Sequence, residues 1–367
     1  MAFSAAAARF DTDNTSGYDI SNVIASYDTA ANKTAIFYRG NNQYLQGIVA
    51  SISGTTVSYG TVANANSDNG INGHDATFDA TANKHVVAFA NDTNAAKVGA
   101  VVATVSGTSI SFGSIVDNLT SFTINTRVSI AYSPDAGTSK IIFGRAANDY
   151  AVETVTVTVS GTSLTGTTPV AVYTETNGAD PAEDSLVYDT TANAYIAALR
   201  KGSTDIGISF VFNSATGAGV ADFLGIADAA ISNAASGKIT MKGGVAINSA
   251  ISPAAVVTVG SKVVFDDGGP TTGISLVYDP DNTKIVNAFC TTTLHGIVGT
   301  VSGTGITYGT AVAANSNNSG EAQIVYDTAN DKVVIIYTNN NNSYGEAVVG
   351  TVSGTSISFG SVVVWNS

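Results

Sequence analysis

A tandem repeat decides what this chain can fold into. An apolar run closing in an aromatic–Asp pair occurs at Tyr27-Asp28, Phe78-Asp79, Tyr188-Asp189, Tyr278-Asp279 and Tyr326-Asp327, with a degenerate copy at Tyr132-Ser133. The six aromatics are spaced by 51, 54, 56, 90 and 48 residues. A second marker, Ser-Gly-Thr, starts at Ser53, Ser106, Ser160, Ser302 and Ser353. Both markers give a period of about 52, and both require about 38 extra residues in the fourth unit, where Ser-Gly-Thr is missing. Two markers agreeing on six units and one insertion define a repeat architecture.

Each unit spells four strands, most clearly at the end of the chain. Ala322–Asp327 and Lys332–Tyr337 are short apolar runs, as expected of strands buried on both faces. Tyr344–Val352 forms the third strand, and Ser356–Gly360 alternates as an outer strand should. Four strands per repeat of this length predict an all-β fold: a six-bladed β-propeller of four-stranded antiparallel blades, closed into a ring that hides its edges. An open β-solenoid would need shorter repeats and fewer strands per turn. The boundaries read as an N-terminal strand or closure segment (1–19), blades 1 to 4 in part (20–213), an inserted small β module (214–261), and the end of blade 4 with blades 5 and 6 (262–367). The segment from Phe3 to Phe10 resembles Phe359 to Asn366, so it either latches the ring or pairs with another subunit.

Two connections in each unit are uniform. Asp28–Lys33 is echoed at Asp79–Lys84, Asp279–Lys284 and Asp327–Lys332, where the carboxylate can accept backbone N–H groups and the Asn tolerates a left-handed backbone. Ser-Gly-Thr supplies the positive φ of a tight hairpin between strands three and four. The other two connections vary and share the opposite face, where recognition loops on a rigid scaffold are found. The insertion leaves from the tight-turn face before Lys262–Asp267, read as the fourth strand of blade 4.

Composition narrows the function. Charged residues are 12% of the chain, about half the usual share, and the net charge is −13. Such an acidic surface repels phosphate backbones, so no nucleic-acid partner is expected. No stretch approaches the length of an apolar membrane span, and the start lacks the basic n-region of a secretory signal. The single cysteine, Cys290, reads as a small buried hydrophobe. The three histidines are scattered, and neither a metal site nor a cofactor is expected.

Three of the five arginines, Arg39, Arg145 and Arg200, end a second strand at the variable face. Converging guanidiniums there could hold a carboxylate in a bidentate grip, as in sialidases. The sialidase turn motif is absent, however, and no Tyr/Glu nucleophile pair stands out. Tyr44, Tyr150 and Tyr344 open third strands at the same rim and could stack on sugar rings. The segment Asp11–Asp19 reads as a solvated acidic loop, because its glycine falls one place late for a calcium loop. With no clustered acid–base set, the chain reads as a non-enzyme.

The phrase from Lys332 to Ser361 resembles the repeat of propeller-type proteins encoded by tailed bacteriophages, notably those of aquatic bacteria and cyanobacteria. The insertion, from Phe223 to Val245, resembles a module of the same tail-fibre and virion structural proteins. The resemblance implies a virion structural or adhesive protein, tail-associated, with other virion proteins and its own copies as partners and a host surface polysaccharide as target. The alternatives are a bacterial cell-surface adhesin or filament subunit, at an extracellular location, and a sialidase-type glycosidase.

Overall fold

A computed structural model of the chain describes residues 21–366 apart from 41–42, 54–55, 66–70, 92–95, 147–150, 174–178, 202–205, 213–225, 228–238, 241–260 and 267–271. Six antiparallel sheets follow one another along the chain, each in the order of strands one to four. In blade 1 these are Ser21–Asp28, Lys33–Arg39, Leu45–Ser53 and Thr56–Tyr59. In blade 6 they are Ser319–Asp327, Lys332–Asn339, Tyr344–Ser353 and Ser356–Phe359. The architecture is the expected six-bladed β-propeller. Among the described residues no helix is long and apolar enough to cross a membrane.

The outer edge of a blade is built in two pieces. In blade 3, Ser163–Gly166 pairs with the end of strand three, and Val170–Tyr173 pairs with its beginning at Val152–Thr154. In blade 4 the expected fourth strand, Val263–Asp266, is fourth in the sheet order, and it pairs with Gly207–Ser209 at the beginning of strand three, where the second piece lies in blade 3. The sequence of blade 4 lacks the Ser-Gly-Thr hairpin that folds the chain straight back, and among the described residues Val263–Asp266 alone pairs with the outer side of its third strand. Of the insertion, the structure describes a two-stranded pairing of Ile226–Ala227 with Ile239–Thr240. The N-terminal segment, including the acidic loop at Asp11–Asp19, lies outside the described residues.

The turns carry the predicted chemistry. Asp79 Oδ1 accepts the N–H groups of Thr81 (3.0 Å) and Ala82 (2.9 Å), and Asp189 does the same for Thr191 (2.8 Å) and Ala192 (2.9 Å). Asn32, Asn83 and Asn193 then hold φ of 52°, 52° and 50°, the left-handed conformation that Asn adopts at little cost. In the outer hairpins Gly107, Gly161, Gly303 and Gly354 have φ between 57° and 63°.

The second strands of blades 2 to 5 are sealed on both faces, since five apolar clusters each join two successive blades. Phe37 and Val49 of blade 1 pack with Val87 and Phe89 of blade 2. Corresponding clusters join blades 2 and 3, 3 and 4, 4 and 5, and 5 and 6. A polar link sits at the rim of most junctions. The repeat tyrosine of one blade reaches the residue two places past the turn Asp (or Ser133) of the blade before it. Tyr132 meets Thr81 Oγ1 at 2.6 Å, Tyr188 donates to Asp135 at 2.8 Å, Tyr278 meets Thr191 Oγ1 at 2.8 Å, and Tyr326 donates to Asp281. Where blade 2 has Phe78, the facing slot of blade 1 holds Ala30, so both partners are apolar together.

The sixth junction differs. Among the described residues no apolar cluster joins blade 6 to blade 1, and Val325 (60%), Ile336 (44%) and Tyr27 (52%) are exposed. The slot facing Tyr27 is Ala329, which offers no side-chain acceptor, and Tyr27 bonds Asn32 of its own turn instead. We expect Val333→Ala, in the sealed junction of blades 5 and 6, to cost about 2 kcal/mol. Val325→Ala should stay within about 0.5 kcal/mol of the parent. Urea unfolding of the two variants checks the contrast.

Two buried histidines sit between blades 1 and 2. His85 Nδ1 lies 3.0 Å from Ser26 Oγ, and its Nε2 is 3.8 Å from Asp28 Oδ2. His74 is fully buried where blades 3 and 5 carry Val128 and Ile274. Desolvation lowers each pKa from 6.5 to about 4. The unfolded chain therefore binds more protons than the folded one between about pH 6.5 and pH 4, and stability rises with pH across that window. Acidification from 6.5 to 4 should lower Tm, with each site contributing on the order of 3 kcal/mol. His74→Val should flatten the slope, as measured by thermal melts across the window.

Candidate functional site

Every first strand shifts register near its start: between Ser21 and Ile24, Asn72 and His74, Thr272 and Ser275, and Gly320 and Gln323 by one extra residue, a β-bulge, and between Ile124 and Val128 and between Pro181 and Leu186 by a longer irregularity. A bulge inserts an unpaired residue and bends the strand. Counting five residues back from the repeat aromatic finds Asn22, Gly73, Arg127, Gly273 and Glu321 in five of the blades. Asn22, Gly273 and Glu321 hold φ of 52°, 54° and 51°. At Gly273 a Cβ would fall 2.7 Å from the amide nitrogen of Ala322. Close approach of blades 5 and 6 thus demands glycine there, on top of the left-handed backbone.

The shifted segments of blades 1, 3, 5 and 6 line the axial mouth of the propeller. A cavity of about 790 Å³ opens there, bounded by Asn22 to Ile24 of blade 1, Arg127 of blade 3, Arg200 of blade 4, Thr272 to Ile274 of blade 5, and Gly320 to Gln323 with Thr338 and Asn340 of blade 6. It lies where first strands begin and second strands end, on the variable-loop face. Its chemistry is divided. Arg127 and Glu321 fill the same repeat slot in blades 3 and 6, which face each other across a six-membered ring. Arg200 of blade 4 stands beside the Arg127 side. The amides of Gln323 and Asn340 stand on the Glu321 side, and Asn340 Nδ2 donates to Asn318 Oδ1 at 3.2 Å.

The three arginines singled out from the sequence do not converge. Measured from the start of strand two, Arg39 and Arg200 share a register, whereas Arg145 falls one residue later. A shift of one residue turns a strand side chain to the opposite face. Arg145 therefore lies over the Phe122 ring, 4.2 Å from its centroid, and pairs with Glu153 at 3.4 Å. Arg39 is held by its own loop, donating to Gln43 Oε1 at 2.7 Å. Only Arg200 of the three lines the cavity. Tyr44 is half-buried and Tyr344 is 37% exposed, and the cavity lining includes neither. Tyr150 lies outside the described residues. Cys290 is fully buried, and burial pushes its thiol up to about 12.

Arg127 is the residue that sequence reasoning missed. It stands before the degenerate Tyr132-Ser133 copy, away from the ends of second strands. Counting back five residues from each repeat aromatic would have found it.

No protein-family model matches the chain, and no curated protein matches it in sequence. Solved structures match its fold. A putative 6-phosphogluconolactonase from Bacteroides uniformis is 8% identical with a TM-score of 0.58, over 94% of this chain and 85% of that one. The periplasmic gluconolactonase of Pseudomonas aeruginosa is 10% identical with a TM-score of 0.55, over 93% and 84%. The SapL1 lectin in complex with alpha methyl fucoside is 9% identical with a TM-score of 0.50, over 94% of both chains. Likeness at this identity establishes the fold alone. It does correct one expectation from the sequence: propellers described as lactonases share this architecture, so catalysis is not excluded by the lack of a clustered acid–base set. A ring of blades brings residues far apart in sequence to one axis, so a local cluster is not required.

The pairing of Arg145 with Glu153 has a measurable consequence. Burial raises the Glu153 pKa while Arg145 opposes the rise. Arg145→Met leaves this carboxylate desolvated and without its cation, which should cost about 1–3 kcal/mol at pH 7. The loss should shrink on acidification as Glu153 takes up a proton, and denaturant unfolding at pH 7 and pH 5 measures the difference.

Proposed function

We propose that the protein recognises a saccharide at the axial mouth of its variable-loop face. One observation supports this most directly: a cavity of about 790 Å³ edged by the side chains of Asn22, Thr272, Gln323, Thr338 and Asn340, with charged groups at two sides. Amides and hydroxyls on a rigid frame suit a ligand dense in hydroxyl groups, and a cavity of this size holds one to three sugar rings. The fold is shared with a fucoside-bound lectin and with proteins described as gluconolactonases, which is in keeping with a sugar-derived ligand.

The setting we infer is a tailed-phage particle, where the propeller contacts a host surface glycan and neighbouring virion proteins. The support for this setting is the sequence resemblance of the repeat and of the insertion to phage virion proteins. Many weak sites on one particle would gain by avidity.

Two measurements test these statements. On an array of bacterial surface oligosaccharides, the full chain should bind a defined subset, and Asn340→Ala should weaken that binding by about tenfold, the scale of one lost polar contact. An array with no bound member overturns saccharide recognition. Mass analysis of the bound sugar after incubation detects turnover, and a changed mass would move the assignment from recognition to catalysis. Mass spectrometry of purified virions should find the chain at a fixed copy number, and its absence from particles overturns the phage setting.

A further inference from the structure

The division of charge around the axial mouth narrows the ligand class. Two of the five arginines in the chain, Arg127 and Arg200, line this one cavity, although the net charge of the protein is −13. They come from adjacent blades and from different structural positions: the register shift in strand one, and the end of strand two. Glu321 stands in Arg127's repeat slot on the opposite blade, with Gln323 and Asn340 on its side. The mouth therefore has a cationic side and a side of acceptors and amides, and the span between them is the width of the cavity.

We propose that the axial site selects acidic saccharides: a sugar carboxylate seats against Arg127 and Arg200, and hydroxyl groups at the other end donate to Glu321 and exchange hydrogen bonds with Gln323 and Asn340. This deepens, and rests on, the saccharide-recognition reading above. Guanidinium forks match carboxylates in geometry as well as charge, so the arginine side fixes the orientation of the ligand. The sign of the mouth also matters against the background of the chain. An anionic glycan is repelled by most of this acidic surface, so the arginine side of the cavity is where its carboxylate would find donors.

The experiment uses the full chain and an array in which each uronate-containing oligosaccharide is printed beside its carboxyl-reduced, neutral form. The acidic member of each bound pair is expected to bind at least tenfold more tightly. Arg127→Ala and Arg200→Ala should each remove most of that preference by weakening the acidic member of each pair far more than its reduced form, and Arg200→Lys should restore only part of it. Glu321→Gln should tighten acidic ligands by a few-fold and shift neutral ones little. Thermal melts of the variants confirm folding. Equal binding of acidic and reduced partners, or arginine variants that weaken both alike, overturns the carboxylate preference and leaves saccharide recognition standing. Binding to no member of either kind overturns both.

Discussion

Burial of the second strand on both faces is the constraint from which the rest of the structure follows. Val86 to Ala90 in blade 2 and Ile285 to Cys290 in blade 5, Asn287 included, are almost wholly inaccessible. A lone four-stranded sheet can shield one face of such a strand at most. Each blade is therefore incomplete without a neighbour, and the neighbour's first strand must lie close alongside. Rotating this requirement through six units brings all the first strands to one axis. The axial mouth is thus a product of core packing before it is a site for anything.

The polar features at the junctions act on this packing as alignment devices. Asp75 Oδ2 accepts the Ser129 hydroxyl (2.7 Å) and the Ile130 N–H (2.8 Å), and the Ser129 oxygen in turn accepts N–H groups of Ser185 and Leu186 (both 3.2 Å). This belt joins three blades deep in the ring and fixes their heights relative to one another. It uses one repeat slot, which holds Ser185 and Ser275 in blades 4 and 5 but Ile24 and Gln323 in blades 1 and 6. The departures fall in the two end blades, the same blades whose facing surfaces leave Tyr27, Val325 and Ile336 exposed. Among the described residues, apolar clusters join every pair of blades that follow one another along the chain, and none joins blade 6 to blade 1.

Much of the fold was legible in the sequence because the repeat exposes its own punctuation. An Asp that accepts N–H groups is a local requirement that survives as a letter at fixed spacing, and the left-handed position four residues on is Asn in blades 1, 2 and 4. The register shifts of the first strands left no such mark. The residue within them five places before the repeat aromatic is Asn22, Gly73, Arg127, Gly273 or Glu321 depending on the blade, and no shared chemistry announces it. The register slip that turns Arg145 away from the axis was hidden for a related reason. Strand ends look alike in sequence, and one residue decides which face a side chain takes. The fourth strand of blade 4 was legible beyond the insertion, whereas its pairing with the beginning of strand three is one that no local pattern encodes.

The axial mouth shows how a repeat acquires specificity without losing its scaffold. The slot five residues before the repeat aromatic holds Asn22, Arg127 and Glu321 in blades 1, 3 and 6 but glycine in blades 2 and 5, and at Gly273 the backbone of blade 6 leaves no room for a Cβ. The chemistry of the mouth therefore changes from blade to blade while the second strands keep one apolar pattern. Placing Arg127 and Glu321 in opposed copies of the slot gives the mouth a direction that sixfold repetition alone would forbid. At physiological salt the field of distant surface carboxylates fades over about 8 Å, so groups around the cavity dominate what a ligand feels once inside. On the proposed reading, the overall acidity of the chain bears on which molecules approach, and Asn22, Arg127 and Glu321 at one slot bear on which of them stay.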